Sequence, residues 1–383
     1  MDFDLTEEQR LLQESVGKLI ADEYGFEQRK AYAKEPAGYS EARWAQYAEL
    51  GLLGLPFSES LGGSGGTPVE TMIVMEAFGR GLVLEPYLAT VILGGGLLRL
   101  AGSAAQQQEL IPAIAKGKLR LAFAHTERQS RYDLTDVATS ARAADGGYVL
   151  NGEKGVVLHG DSDDRLVVLA RTAGRQREAS GLSLFLVDRD ADGVQRRGYP
   201  TQDGLRAAEI TFRDVKVAPD ALIGTKDQAW PVVERVIDGA IAALSAEAVG
   251  VMSAAHEITV EYLKTRKQFG VPIGSFQALQ HRAVDMLVSL EQARSMAYLA
   301  TMMADSEDPA ERRRMISAAK VQIGRSARFV GQQAIQLHGG IGMTMEYKVG
   351  HYFKRASMID TLFGDADHHL AIVANTPGLI DPI

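Results

Sequence analysis

No cysteine occurs anywhere in the 383 residues. That absence removes disulfides, cysteine-ligated zinc, iron–sulfur clusters and a cysteine nucleophile, and it fits a reducing cytoplasm. A strong excess of either charge is also missing. Lys and Arg number 41 against 49 Asp and Glu, a net charge of −8, and no basic block offers a nucleic-acid footprint. The most apolar stretch, Leu82 to Gly102, is broken by Glu85, Pro86 and Gly94-Gly95-Gly96, so no membrane span is expected there. The acidic start Met1-Asp2-Phe3-Asp4 leads into a helical pattern and gives no sign of a signal peptide. Among the eight histidines no pair stands at i, i+4, and with cysteine absent no metal site is expected.

What is present suits two or three globular domains: 46% of the residues are hydrophobic and 23% charged. Thr6-Glu7-Glu8-Gln9 is a capping box, and Leu11, Leu12, Val16, Leu19 and Ile20 line one face of the helix that follows. Helical patterns recur over 39–50, 67–78 (extending toward Leu82), 87–101 and 104–116. From about Gly117 the apolar runs become short and β-rich: 119–124, 148–150, 155–158, 166–170, 182–187 and 209–212. Asn151-Gly152 predicts a type I′ hairpin there. Helical periodicity returns near Gln228, with segments over 230–265, 275–304, 309–338 and 347–359 and another from His368. The expected fold is α+β, mainly α. Residues 1–118 form an all-α domain, 119–226 a β-barrel domain and 227–383 a four-helix bundle.

The last long helix closes on Gln336-Leu337-His338-Gly339-Gly340-Ile341-Gly342. Three glycines in four residues make either a helix C-cap with a tight turn or a backbone cradle for a phosphate or purine. Upstream, Thr265-Arg266-Lys267-Gln268-Phe269-Gly270 precedes Phe276-Gln277.

These motifs, with Asp4-Leu5-Thr6-Glu7-Glu8-Gln9 at the start and Asn151-Gly152-Glu153-Lys154 in the β region, stand in the order of the acyl-CoA dehydrogenase family, which the chain resembles over essentially its whole length. It is similar in particular to the small subunits of heteromeric members such as pimeloyl-CoA dehydrogenase. The resemblance implies FAD. It places Arg266 at the pyrophosphate, Phe269 by the adenine end, Gln277 as a hydrogen-bonding group, and Gln336, Gly339 and Gly340 along the adenosine diphosphate. A homologous large subunit in an α2β2 assembly, an acyl-CoA substrate and electron-transfer flavoprotein are the partners it implies, in the cytoplasm.

Other family positions are filled differently. The flavin loop Thr-Glu-Pro-Gly-Ala-Gly-Ser-Asp reads here Thr126-Glu127-Arg128-Gln129-Ser130-Arg131-Tyr132-Asp133, with both glycines gone. Where the resemblance implies an aromatic residue and then, two positions on, a hydroxyl at flavin N5, the chain has Val156-Val157-Leu158. Dehydrogenation needs a carboxylate to take the α proton. Phe363 and Ala240 occupy the family's two positions for that base, so no catalytic residue is assigned. Asp238, Glu247 and Asp365 are neighbouring carboxylates for which a cap or an ion pair is the plainer role. The split implies a subunit that completes the FAD site of a catalytic partner. A self-sufficient enzyme with another base, and a structural acyl-CoA-binding subunit, stay open.

Overall fold

The computed structural model describes residues 4–375. Helices α1 (Glu7–Glu23), α2 (Phe26–Tyr32), α3 (Glu41–Glu49), α4 (Pro68–Gly81), α5 (Gly95–Ala101) and α6 (Ala104–Ala115) come first. The capping box at Thr6 forms as its sequence predicts. The Thr6 hydroxyl accepts from Gln9 N at 3.2 Å, and the Gln9 side chain accepts from Thr6 N at 3.0 Å. A π-helical turn, Leu88–Gly94, opens the predicted 87–101 helix before α5 continues it.

Eight strands follow: β1 (Leu121–Ala124), β2 (Ser140–Ala144), β3 (Gly147–Leu158), β4 (Arg165–Arg171), β5 (Leu182–Asp188), β6 (Val194–Pro200), β7 (Arg206–Val217) and β8 (Leu222–Ile223). They pair in the order β6-β7-β3-β2-β4-β5-β8, with β1 beside β4. Among the described residues no ladder joins β6 to β8, so the hydrogen bonding gives an open sheet where a closed barrel was expected. Its inward side chains, among them Leu150, Val168, Phe185, Ile210 and Phe212, form one buried cluster.

The expected hairpin at Asn151-Gly152 is not there. The β2–β3 turn falls at Asp145-Gly146, both at positive φ (40° and 79°), as a type I′ turn requires. Asn151-Gly152 instead sits inside β3 at a register shift against β7. Two dipeptides six residues apart both carry turn chemistry, and tertiary bonds decide between them. The Asn151 side chain pairs with Asp214 on β7, donating to its carboxylate at 3.0 Å and accepting from its backbone N–H at 2.9 Å.

The chain then enters α7 (Trp230–Thr265), a short hairpin of β9 (Lys267–Gln268) and β10 (Val271–Pro272), α8 (Gln277–Met303), α9 (Pro309–His338), α10 (Val349–Thr361) and α11 (Ala366–Asn375). Helix α7 is long and apolar enough to cross a membrane, but its most apolar window is almost wholly buried inside the protein, as a core helix is.

By compactness the chain groups into two units. One joins the first 31 residues, Pro68–Val83 and the chain from Ile241 onward; the other holds Tyr32–Thr67 and Leu84–Ala240. In the first, α4 and α7 cross backbone to backbone. A Cβ on Gly79 would lie 2.1 Å from the Glu247 carbonyl oxygen, and one on Gly250 would lie 2.0 Å from that of Glu76. Glu247 and Arg355 form a buried pair across α7 and α10, at 2.5 and 2.7 Å. In the second unit, Trp44 on α3 donates to the Gly117 carbonyl at 3.0 Å, and Gln106 on α6 donates to the carbonyls of Asp220 and Leu222 beside β8.

Lys320 on α9 is wholly buried and donates to the carbonyls of Ile359 and Asp360 in the last turn of α10. Burial lowers its pKa to about 7, against the opposing pull of Asp360 and Asp365. The folded value lies below the ordinary lysine value, so the unfolded chain holds the proton more tightly between about pH 7 and 10.5. Stability therefore gains up to about 1.4 kcal/mol per pH unit as pH rises through that window. Thermal unfolding of the wild type across pH 7 to 9.5 is expected to show the rise. Lys320→Met is expected to flatten it, and equal slopes in the two proteins would refute the assignment.

Candidate FAD-contact site

Arg266 follows the C-terminus of α7. Its backbone N–H still bonds to Tyr262 O at 2.8 Å, and its carbonyl accepts from Ile273 N at 2.8 Å, which closes the base of the β9–β10 hairpin. Phe269 and Gly270 form the turn at φ 55° and 83°. Positive φ at both central residues matches the twist of a two-residue hairpin, and Phe269 is held there despite its Cβ. Its ring is 91% exposed and meets Phe276 edge-on at 6.1 Å. The Arg266 side chain is exposed and makes no ion pair among the described residues, which leaves its donor fork open. Gln277, the first residue of α8, is exposed beside it in sequence.

At the end of α9, Gln336, Gly339 and Gly340 are all exposed. Gly339 takes φ 64° and ψ −140°, a conformation that essentially only glycine adopts. Nothing lies within 4 Å of where a Cβ would sit on Gly339 or Gly340, so this backbone faces open space. Both readings of the turn hold together: it caps α9, since Gly339 N bonds to the Ile335 and Gln336 carbonyls, and it offers bare backbone to a ligand.

His338 ties this turn to the Arg266 segment. It is buried, shares a bond with Ala334 O at 2.8 Å, stacks on Tyr262 at 4.5 Å and meets Tyr347 at 5.1 Å. Tyr262 lies one helical turn before Arg266. Burial lowers the His338 pKa, which favours the neutral ring that packs against Tyr262 and Tyr347. The sequence presents His338 as an isolated histidine. Only its place beside the glycines hinted that it anchors them.

In the sheet, the loop after β1 is built around Glu127. Its carboxylate accepts from Lys154 Nζ at 2.8 Å, Gln129 Nε2 at 2.7 Å, Ala138 N at 2.8 Å and Thr139 N at 3.0 Å. Arg131, where the family's second glycine would stand, keeps a glycine-like φ of 45°. The loop therefore retains left-handed backbone there while its side chain is long and exposed. Val156 sits on a bulge of β3, between the pairs Lys154↔Ile210 and Val157↔Ala208, at φ 51° and 43% exposed. A β-branched residue there is strained, and strain of that kind gathers at functional positions. Leu158 packs almost wholly inside.

Phe363 and Gly364 leave α10 at φ 59° and 115°. The Phe363 carbonyl is 3.1 Å from His369 Nε2, and His369 Nδ1 is 3.1 Å from the Ser317 hydroxyl. Ala240 is buried within α7. Of the neighbouring carboxylates, Glu247 is taken by Arg355, and Asp365 caps α11 by accepting from His368 N at 2.9 Å. Asp238 is buried on α7.

A helical start, a mixed, mostly antiparallel sheet and a helical bundle whose end presents a bare glycine turn and an exposed arginine make a three-part chain. Family models match in that order: the acyl-CoA dehydrogenase N-terminal domain over residues 6–118, the middle domain over 122–215 and the C-terminal domain over 228–376. The chain belongs to the acyl-CoA dehydrogenase family, and FAD is its cofactor. It is 30% identical over 380 residues to "Probable acyl-CoA dehydrogenase YngJ" of Bacillus subtilis, covering 98% of this chain and 99% of that one. Among solved structures it is similar to the Tcur3481-Tcur3483 steroid ACAD, with 28% identity, TM-score 0.87 and 97% of each chain covered. It also matches the ChsE4-ChsE5 complex from Mycobacterium tuberculosis, with 26% identity and TM-score 0.87 over 99% of this chain and 100% of that one.

The bundle residues fit the diphosphate end of FAD: an unpaired guanidinium and uncovered glycine backbone are what a pyrophosphate requires. In the sheet, Arg131, Val156 and Leu158 lack the glycine, the ring and the hydroxyl that the resemblance implies around the flavin.

Proposed function

We propose that this chain is the small subunit of a heteromeric acyl-CoA dehydrogenase, and that its bundle completes an FAD site whose flavin ring and base belong to a homologous large subunit. One observation carries the reading. The groups suited to adenosine diphosphate (Arg266, Phe269, Gln277, Gln336, Gly339 and Gly340) are all exposed, while Phe363 and Ala240, where the resemblance implies the family's base, carry hydrocarbon side chains. When bound, FAD accepts the hydride from the acyl β carbon. On this reading the chain's own part is to hold the diphosphate and orient the cofactor, and the proton leaves through the partner's carboxylate. Two neighbours whose names join two proteins, Tcur3481-Tcur3483 and ChsE4-ChsE5, support an assembly of unlike chains, proposed as α2β2. A bulky acyl-CoA is the proposed substrate, either a dicarboxylyl thioester of the pimeloyl type or a ring-containing one. Electron-transfer flavoprotein is the proposed acceptor, and the cytoplasm the proposed location.

Purification alone and with the large subunit tests this. The lone chain is expected to hold little FAD and to turn over slowly, and co-purification to restore both. Tight FAD binding with full activity by the lone chain would overturn it.

A self-sufficient enzyme is the second reading, favoured by the full-length match to the Bacillus relative and by Asp238, a buried carboxylate two residues before Ala240 on α7. There Asp238→Asn should abolish turnover; an unchanged rate would remove Asp238 as the base.

A further inference from the structure

Methionine is the only sulfur in this chain, because it has no cysteine. A peroxide therefore finds no thiolate and reacts with thioethers instead. The exposure of those thioethers is uneven. Met72, Met75, Met252 and Met286 are buried, and Met302 is 37% exposed. Met343 and Met345 are the most exposed methionines among the described residues, at 77% and 58%. Both belong to the glycine turn. Met343 is the last residue of the 3-10 turn Gly339–Met343, and Met345 follows two residues later.

A few bonds hold this segment. Thr344 donates through its backbone N–H and its hydroxyl to the Ile341 carbonyl, at 3.1 and 2.9 Å. His351 Nε2 on α10 lies 3.2 Å from the Met345 carbonyl. The Met345 sulfur accepts from Lys354 Nζ, also on α10, at 3.1 Å. A thioether is a weak acceptor for an ammonium. A sulfoxide oxygen is a much stronger one and stands a further S–O bond out from the chain. Oxidation therefore re-sets the tie between α10 and the segment that follows Gly339 and Gly340. It also turns two apolar side chains polar and places partly negative oxygens on that segment, which disfavours an anion nearby.

We propose that Met343 and Met345 are sites of reversible sulfoxidation, and that their oxidation weakens FAD binding at the glycine turn. The effect on FAD rests on the role proposed above for this turn; the oxidation itself does not. Hydrogen peroxide supplies the oxygen. The sulfur lone pair forms the S–O bond, the O–O bond breaks and water leaves, so sulfur loses the electron pair that the peroxide gains. Methionine sulfoxide reductases reverse the change.

Mass mapping of the full chain during exposure to hydrogen peroxide tests it. Met343 and Met345 should each gain one oxygen well before Met302, with the buried methionines last. Once assembled with the large subunit, the oxidised chain should bind FAD at least about fivefold more weakly than the untreated one, and reductase treatment should restore the affinity. The double variant Met343→Leu/Met345→Leu keeps side-chain volume. It should bind FAD as the wild type does and hold that affinity through the same exposure. Oxidation of these two no faster than of Met302 would overturn the proposal, as would unchanged FAD affinity in the oxidised wild type. Arg266→Ala in the same assay keeps the two readings apart. If it loses FAD and the oxidised chain does not, the methionine proposal fails alone; if neither loses FAD, the role of the turn fails with it.

Discussion

Glu127→Ala is expected to destabilise the sheet-containing unit by about 3–5 kcal/mol, the cost of leaving a buried charge without its partner. The Glu127 and Lys154 side chains are 3% and 0% exposed, so water cannot solvate the ammonium once the carboxylate is gone. The loss reaches further than the pair. Glu127 also accepts the backbone N–H groups of Ala138 and Thr139, which hold the far end of the 126–139 loop against β2. Burial alone would raise the Glu127 pKa. The charge and hydrogen bond of Lys154, with the bonds from Gln129 and Thr139, outweigh burial and hold it at about 2. A depressed carboxylate stabilises fully above its unfolded value of ~4.5 and loses that contribution as pH falls toward 2. Both tryptophans, Trp44 and Trp230, lie in this unit, so denaturant unfolding followed by their fluorescence reads it directly. The wild type should lose stability between pH 4.5 and 2 more steeply than Glu127→Ala. The double variant Glu127→Leu/Lys154→Met should recover most of the loss, because it buries no charge. A single-variant cost below about 1 kcal/mol would refute the role given to the pair.

In the assembled enzyme, Arg266→Ala should weaken FAD binding by about 2–4 kcal/mol, roughly a thirty- to thousandfold loss of affinity. The proposal puts the fork of Arg266 on the cofactor's pyrophosphate, so its removal leaves that charge unpaired. Arg266→Lys should restore only part of the affinity, since an ammonium keeps the charge without the paired geometry. The same substitution should leave the lone chain's stability within about 0.5 kcal/mol of wild type, because the side chain is exposed and holds nothing else. That contrast separates a cofactor contact from a structural one. Full FAD content in an Arg266→Ala complex would favour a purely structural subunit.

The helices were largely legible. The 230–265 and 309–338 patterns became α7 and α9 with the same ends, because long amphipathic or small-residue periodicity leaves few alternative packings. The sheet was less so. β2 and β6 are largely exposed and carry few buried apolar side chains, and neither stood out from its flanking turns. Asn151-Gly152 carried a true turn signal, but Asp145-Gly146 carried another, and only the pairing of β3 with β7 selects the one that turns. For the candidate site, the sequence located Arg266, Phe269 and the Gln336–Gly342 turn separately. It gave no means of seeing that His338 stacks on Tyr262 and joins them.

By itself the sequence determined the order of helical, β and helical parts, the absence of thiol chemistry, and that Phe363 and Ala240 stand where the resemblance implies a base, since each is a matter of residue identity and local periodicity. The tertiary structure decided the rest. It set where the β turn falls, that the sheet's ladder stays open, that Arg131 and Val156 hold left-handed backbone, that Glu247 and Asp365 are already engaged, and that the glycine turn faces open space. These depend on which distant segments meet, and contacts between distant segments leave no periodic trace in the chain.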